Sequence, residues 1–243
     1  MTEGIDRATA ARTIESAGAE IVGACRRAPD APVPSCPGWS VSDLAIHIAQ
    51  IHQWAAGLMA GGAPGPLAEL PEGTDPADWA DHARAGLVGA IEASDPVQEV
   101  WTFIGPRPAS WWWRRQVNET VVHAWDATAA LGSPWPIPAD VAADALDEAL
   151  TVFLPRRWGH KSPDWGEGRT VHLHRTDGDG EWLVRIDAEP TIEQGHAKGD
   201  LAVRGPAVEL LLWALGRGTG NQPAVELFGD SGLADAWRAN VRI

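Results

Sequence analysis

The sequence has few cysteines and no long apolar segment. Its 243 residues include two cysteines, Cys25 and Cys36. Two are too few for a disulfide framework, and their spacing matches no zinc knuckle. No run of about 18 apolar residues is present, so no transmembrane helix is predicted, and the first residues lack the apolar region of a signal peptide. These absences predict a cytoplasmic protein in a reducing compartment.

Basic residues are scarce as well. The chain has 19 basic and 33 acidic residues, a formal net charge of −14, and only two lysines, Lys161 and Lys198. Because no basic stripe stands out, nucleic acid and anionic membrane surfaces are not expected as partners. The acidity indicates a well-solvated surface and carries no signal for a particular activity.

Tyrosine is absent, whereas tryptophan occurs 14 times. Trp111, Trp112 and Trp113 are consecutive, and neighbours on a helix differ in direction by about 100°. They cannot all face the same way, so at least one is expected at a pocket rim, an interface or a domain boundary. The alternative is that tryptophan fills the core volume that tyrosine would otherwise share.

The first part of the chain has the apolar periodicity of helices. Ser40 followed by Asp43 is a capping pattern that starts one helix, and Pro76 suits the first turn of another. Gly132 followed by Pro134 ends a helix. Helices joined in this way predict an antiparallel bundle. The predicted helices cover residues 6–27, 40–60, 77–93, 109–131 and 139–154, with a short extended piece at 100–104.

The pattern changes after Pro155. Apolar and polar residues alternate over 171–174 and 182–187, and Asp177-Gly178-Asp179-Gly180 between them is typical of a hairpin turn. These elements predict a small α+β domain, with a domain boundary near residue 157. The remaining predicted elements are a strand at 200–205, a helix at 206–215, a strand at 225–230 and a helix at 231–240.

Glu119 and His123 are four residues apart on the fourth predicted helix, so they share one face. A carboxylate oxygen and an imidazole nitrogen at this spacing can bind one divalent ion, and His47 on the second helix is a candidate third ligand. His52 is rotated from His47 by about 140° and is not expected to reach the same ion. Three protein ligands leave a fourth position open, as in a catalytic zinc site. By spacing alone, an exposed Glu–His pair and an ordinary core histidine are alternatives.

Four more residues invite interpretation. Asp126, three residues after His123, is either a carboxylate that orients an imidazole or an exposed aspartate. His172 and His174 share one face of a strand and could chelate a metal; without an obvious third ligand nearby in sequence, a solvent-facing or interface pair is favoured. Cys36 is either a reactive thiol or, more commonly, a small buried hydrophobic residue.

Two motifs resemble those of the mycothiol-dependent maleylpyruvate isomerase family. The first runs from Val33 to His47 and contains Cys-Pro-Gly-Trp, then a helix with Asp-Leu and a histidine. The second is Asn-Glu-x-x-x-His-x-Trp-Asp, which runs here from Asn118 to Asp126. The resemblance extends over the whole chain. It implies an α+β protein with a DinB-like antiparallel four-helix bundle over 1–157 and a sterol-carrier-like α+β domain over 158–243.

The resemblance also implies a zinc site with His47, Glu119 and His123 as ligands and mycothiol as cosubstrate. Zinc holds a bound thiol as its thiolate at neutral pH. Such a thiolate is a nucleophile towards a small electrophile such as a conjugated keto acid. The predicted function is therefore that of a metal- and mycothiol-dependent isomerase or thiol transferase.

Arginines are expected to hold substrate carboxylates, because a guanidinium binds a carboxylate with two hydrogen bonds. Arg204 and Arg217 match Arg-Gly and Gly-Arg points of the family, and Arg114 precedes the ligand pair on its helix. For each of them, an ordinary surface arginine is the alternative.

Two other functional classes stay open. One is a non-catalytic relative that binds or senses a small ligand. The other is a hydrolase that uses metal-bound water, which requires a general base that the sequence does not identify. The connections over 61–76 and 96–108 are expected to shape the substrate pocket.

Overall fold

A computed structural model of the chain describes residues 5–158, 164–217 and 224–241. It divides into two compact units, Met1–Pro136 and Ile137–Ile243. The division between Pro136 and Ile137 lies upstream of the domain boundary predicted near residue 157, and the helix that starts at Ala139 packs within the second unit. Part of the predicted boundary segment 156–167, including Lys161, lies outside the described residues.

The first unit is a four-helix bundle, as predicted. α2 packs against α3 and α4, and α1 packs against the same two helices. A short antiparallel pair of strands lies between α3 and α4 and replaces the extended piece predicted at 100–104. The elements are α1 (Arg7–Arg27), α2 (Val41–Met59), α3 (Pro76–Ala93), β1 (Glu99–Val100), β2 (Arg107–Pro108) and α4 (Ser110–Ala130).

The start of α2 is fixed by a capping box, which the sequence predicts. The Asp43 backbone N–H donates to Ser40 Oγ at 3.1 Å, and the Ser40 N–H donates to the Asp43 carboxylate at 2.8 Å. Leu44 and Ile48 then bury one side of the helix in the bundle core. The cap and the buried side together determine the direction in which His47 projects.

The second unit is the predicted α+β domain. Its five-stranded sheet has the order β5-β4-β3-β6-β7; β3 and β6 are parallel, and the other pairs are antiparallel. The elements are α5 (Ala139–Glu148), a π-helical segment (Ala149–Phe153), α6 (Leu154–Trp158), β3 (Thr170–Arg175), β4 (Glu181–Arg185), β5 (Thr191–Gln194), β6 (Leu201–Gly205), α7 (Ala207–Ala214), β7 (Glu226–Gly229) and α8 (Ser231–Asn240).

β5 is the element that the sequence does not predict. It contains one apolar residue, Ile192, and lies at an edge of the sheet with most of its side chains exposed. A half-exposed edge strand needs little apolar alternation, so the usual strand signal is missing.

Among the described helices, none has the length and apolar character needed to cross a membrane.

Removing the α2 cap should weaken the bundle measurably. We expect Ser40→Ala to lower the free energy of unfolding by about 1 kcal/mol, because the Asp43 N–H loses its acceptor. Urea unfolding followed by tryptophan fluorescence measures this change. Ser16, on the exposed face of α1, gives the control, and Ser16→Ala should stay within about 0.5 kcal/mol of the wild type. Equal changes in the free energy of unfolding for the two variants would show that the Ser40 cap does not stabilise the bundle.

Candidate metal centre

His47, Glu119 and His123 converge between α2 and α4, and their candidate ligand atoms all lie within 4.8 Å of one another. His47 Nε2 is 3.1 Å from Glu119 Oε1, and His123 Nε2 is 3.5 Å from the same oxygen. The two imidazole rings meet edge to face, with 5.3 Å between their centroids. The structure thus gathers the three predicted ligands around one point, although 72 residues separate His47 from Glu119.

The three side chains are largely shielded from solvent. Their exposed fractions are 26% for His47, 14% for Glu119 and 12% for His123. Burial, reinforced by His123 and by the charge of Arg115, lowers the pKa of His47 to about 4. Its imidazole is therefore neutral at pH 7, which is the form that binds a metal ion.

Glu119 divides its two carboxylate oxygens between different partners. Oε1 faces the two imidazoles, whereas Oε2 contacts the guanidinium of Arg115, one turn earlier on α4. Arg115 is itself mostly buried. This division leaves a single oxygen, Oε1, directed at the point between the histidines. The four-residue spacing of Arg115 and Glu119 is the sequence signal for the contact.

Asp126 is fully buried, so the alternative of an exposed aspartate is wrong. Its Oδ2 lies 3.0 Å from His123 Nδ1. A hydrogen bond from Nδ1–H to this carboxylate leaves the lone pair of His123 on Nε2, the atom that faces Glu119. Cys36 is only partly buried, and its Sγ lies 3.9 Å from the same carboxylate oxygen. Cys36 therefore borders the site and is not an ordinary core residue.

His52 stays apart from this cluster, as the helix geometry predicts. It is completely buried, and its Nε2 lies 2.9 Å from Thr120 Oγ1. Thr120 donates its own hydroxyl proton to the Gln116 carbonyl at 2.6 Å, so His52 Nε2–H is the donor of the other bond. Within the described part of the chain, His52 Nδ1 has no hydrogen-bond partner. Burial lowers the pKa of His52 to about 3, so the ring is neutral.

An aromatic cluster continues the same faces of α2 and α4. Trp54 follows His47 by seven residues, and Trp112 precedes Glu119 by seven, which is about two helical turns. The Trp54 and Trp112 rings meet edge to face at 5.4 Å. Of the three consecutive tryptophans, Trp111 is the one that is only partly buried. One end of the α2–α4 contact thus carries the candidate ligands and the other carries tryptophans.

The remaining predicted arginines are differently placed. Arg204 is exposed on β6 and pairs with Glu226 of β7 at 2.9 Å, which favours the ordinary surface role. Arg217, after α7, is 7% exposed. Arg114 is partly buried on α4, next to Arg115. A substrate-binding role for Arg204, Arg217 and Arg114 stays a prediction.

A helical bundle of this kind, with two histidines and a carboxylate converging from facing helices, belongs to the DinB-like class. The α+β unit in the same chain restricts the assignment to families that combine the two units. The model of the mycothiol maleylpyruvate isomerase N-terminal domain matches residues 11–128, and that of the corresponding C-terminal domain matches residues 140–236. The chain belongs to the mycothiol-dependent maleylpyruvate isomerase family, which confirms the resemblance found in its motifs.

Solved structures agree with this fold. Crystal structures of the mycothiol-dependent maleylpyruvate isomerase and of a histidine-to-alanine mutant of it each superpose with a TM-score of 0.63. Each is 19% identical in sequence, and each match covers 92% of this chain and 93% of the other. The likeness at this identity concerns the fold. No curated protein sequence matches the chain significantly.

The buried His52 should make the bundle sensitive to acid. Its pKa is about 3 when folded and 6.5 as a free side chain, so between these values the unfolded chain binds the proton and the folded chain does not. Stability is therefore lost as the pH falls through this window, by about 5 kcal/mol over its full width. Urea unfolding of metal-free protein across the window measures the loss.

His52→Gln should make this pH dependence shallower, because glutamine retains an N–H donor for Thr120 and does not titrate, and the remaining slope is that of His47, whose pKa is also lowered, to about 4. It should also leave the zinc content unchanged. His82, exposed on α3, gives the matched control, and His82→Gln should keep the wild-type pH profile. A His52→Gln profile identical to that of the wild type would contradict the assignment.

Proposed function

We propose that this protein is a metal- and mycothiol-dependent isomerase or thiol transferase that acts on a small electrophilic substrate. The observation that carries the proposal is the convergence of His47, Glu119 and His123 in a chain of this family. The similar solved proteins are, by name, mycothiol-dependent maleylpyruvate isomerases. Maleylpyruvate is accordingly the first substrate to test.

The donor set fits a divalent metal, and zinc is the proposed ion. Two neutral imidazoles and one carboxylate are typical ligands of catalytic zinc. Tetrahedral zinc with bonds of about 2.0–2.1 Å has ligand atoms roughly 3.3 Å apart, close to the 3.1 and 3.5 Å that separate Glu119 Oε1 from His47 and His123. When bound, zinc would keep one position for a thiol and favour its thiolate form at neutral pH.

The chain's own residues support this role in separate ways. Asp126 orients His123, and Arg115 contacts the second oxygen of Glu119, so these two candidate ligands are each held by a further contact. Trp39 packs on the His47 ring with 5.0 Å between centroids. Trp39 also lines a surface depression of about 430 Å³ formed by residues 30–43. We propose that part of the thiol cosubstrate binds in this depression.

The proposed isomerisation needs no other reactant. The thiolate sulfur bonds to an alkene carbon conjugated with a carbonyl, and the displaced electron pair moves to the carbonyl oxygen. The former double bond rotates, and the returning electron pair expels the thiolate. In a thiol transfer, the carbon–sulfur bond persists and a proton adds to the neighbouring carbon. Both routes require the same activated thiol.

A metal-water hydrolase receives less support from the site. Such an enzyme needs a general base beside the water. The Asp126 carboxylate already contacts His123 and Cys36, and the Glu119 carboxylate contacts Arg115 as well as the imidazoles. The nearest carboxylates are thus engaged in holding the candidate ligands.

Loss of the Glu119 carboxylate should remove the zinc of this site. We expect Glu119→Ala to lose one equivalent of tightly bound zinc per chain while its circular dichroism stays that of the wild type, because two imidazoles alone bind zinc weakly. Elemental analysis after desalting measures the loss. Glu92→Ala, at an exposed position of α3, should retain all of the zinc. Full retention by Glu119→Ala would exclude Glu119 from the site.

Metal-dependent binding of the thiol is the decisive measurement. Calorimetric titration of mycothiol into zinc-loaded protein should give saturable binding, whereas metal-free protein and zinc-treated Glu119→Ala should give none. Turnover of maleylpyruvate and of other conjugated electrophiles is then compared with and without the thiol. Equal binding by loaded and metal-free protein would overturn the role of the metal, and absence of binding would favour the ligand-binding alternative.

A further inference from the structure

A second cluster of metal-binding side chains lies within the α+β unit. His172 and His174 share one face of β3, and Glu181 on β4 is the cross-strand partner of His174. His196, just after β5, completes the group, and the candidate ligand atoms of all four residues lie within 4.8 Å of one another. Of the two alternatives predicted for the β3 histidines, a solvent-facing pair does not fit His172, which is 5% exposed, and an interface pair stays a prediction.

Glu181 is the centre of this cluster. Its Oε2 lies 3.0 Å from His172 Nε2 and 2.9 Å from His196 Nδ1. Its Oε1 lies 3.1 Å from His174 Nδ1. Each of these imidazoles can either donate an N–H to the carboxylate or offer a lone pair to a metal ion. A single divalent cation accounts for all four groups, because neutral imidazoles supply lone pairs and the carboxylate supplies charge.

The backbone beside the cluster depends on two glycines. Gly195 has a φ of +126°, a value that L side chains rarely adopt, and its N–H donates to the Glu181 carbonyl at 3.0 Å. Gly199 approaches β3 so closely that a Cβ atom there would lie 2.9 Å from the His172 backbone nitrogen. The segment 195–199 is thereby held against the strands that carry the other three side chains.

We propose that His172, His174, Glu181 and His196 bind a second divalent transition-metal ion, with zinc as the reference ion. Imidazole and carboxylate donors suit zinc and its neighbours in the first transition row. Four protein ligands complete a tetrahedral shell, which is the arrangement of a structural site. The ion would join β3, β4 and the segment that follows β5. The proposal is independent of the thiol chemistry assigned to the bundle.

Counting zinc in single and combined variants tests the second site. Untagged protein is stripped with a chelator, exposed to excess zinc, desalted and analysed for metal and protein. The double variant His174→Ala/His196→Ala retains only His172 and Glu181 of the four candidate ligands and should lower the zinc content by one equivalent relative to the wild type. The His196 side chain is 82% exposed, so its replacement should leave the fold intact. His82→Ala, an exposed histidine of α3, should keep the full zinc content.

The variant His47→Ala separates the two sites, because it removes a candidate ligand of the bundle site alone. That variant should retain the zinc of the α+β unit, and zinc should raise its melting temperature, since binding to the folded state alone stabilises it. Combining His47→Ala with His174→Ala/His196→Ala should abolish both effects. If His174→Ala/His196→Ala keeps the wild-type zinc content, the second site is excluded, whatever happens at the bundle. If His47→Ala keeps the full wild-type zinc content while His174→Ala/His196→Ala loses one equivalent, the proposed function fails and the second site is retained.

Discussion

The buried carboxylate of Glu119 is the interaction on which the bundle site depends. A charged group held away from water is costly unless its oxygens are paired. Here α4 supplies Arg115 for one oxygen, and α2 supplies His47 for the other. The pairing works only if α2 and α4 pack in one register. The buried bond between His52 and Thr120 joins the same two helices elsewhere along their contact and fixes that register independently.

The two histidine–carboxylate clusters solve the same electrostatic problem differently. In the bundle, a fixed cation, Arg115, takes one carboxylate oxygen and leaves the other to two imidazoles. In the α+β unit, three imidazoles surround both oxygens of Glu181. The first arrangement offers three candidate ligands, which suits the proposed chemistry at an open position, whereas the second offers four, which suits the proposed structural role.

Local patterns predicted the parts of the fold that depend on neighbouring residues. The Ser40–Asp43 capping box and the shared helix face of Glu119 and His123 follow from spacings of three and four residues. The meeting of His47 with Glu119 depends on how two distant helices pack; the residue types made His47 a candidate ligand, and the resemblance of the motifs implied the complete set. His196 could not be associated with His172, because that contact requires the unpredicted strand β5 and a glycine-dependent turn after it.

The candidate ligands lie on helices, whereas the connections over 60–75 and 94–109 consist of turns, irregular chain and one short strand pair. Loop length changes stability slowly, by about 0.6 kcal/mol for each doubling, and such connections tolerate insertion. These two connections can therefore change in length and sequence without moving the helices that carry the candidate ligands. In the proposed enzyme, these two connections are the segments in which substrate preference can change while the three candidate ligands keep their places.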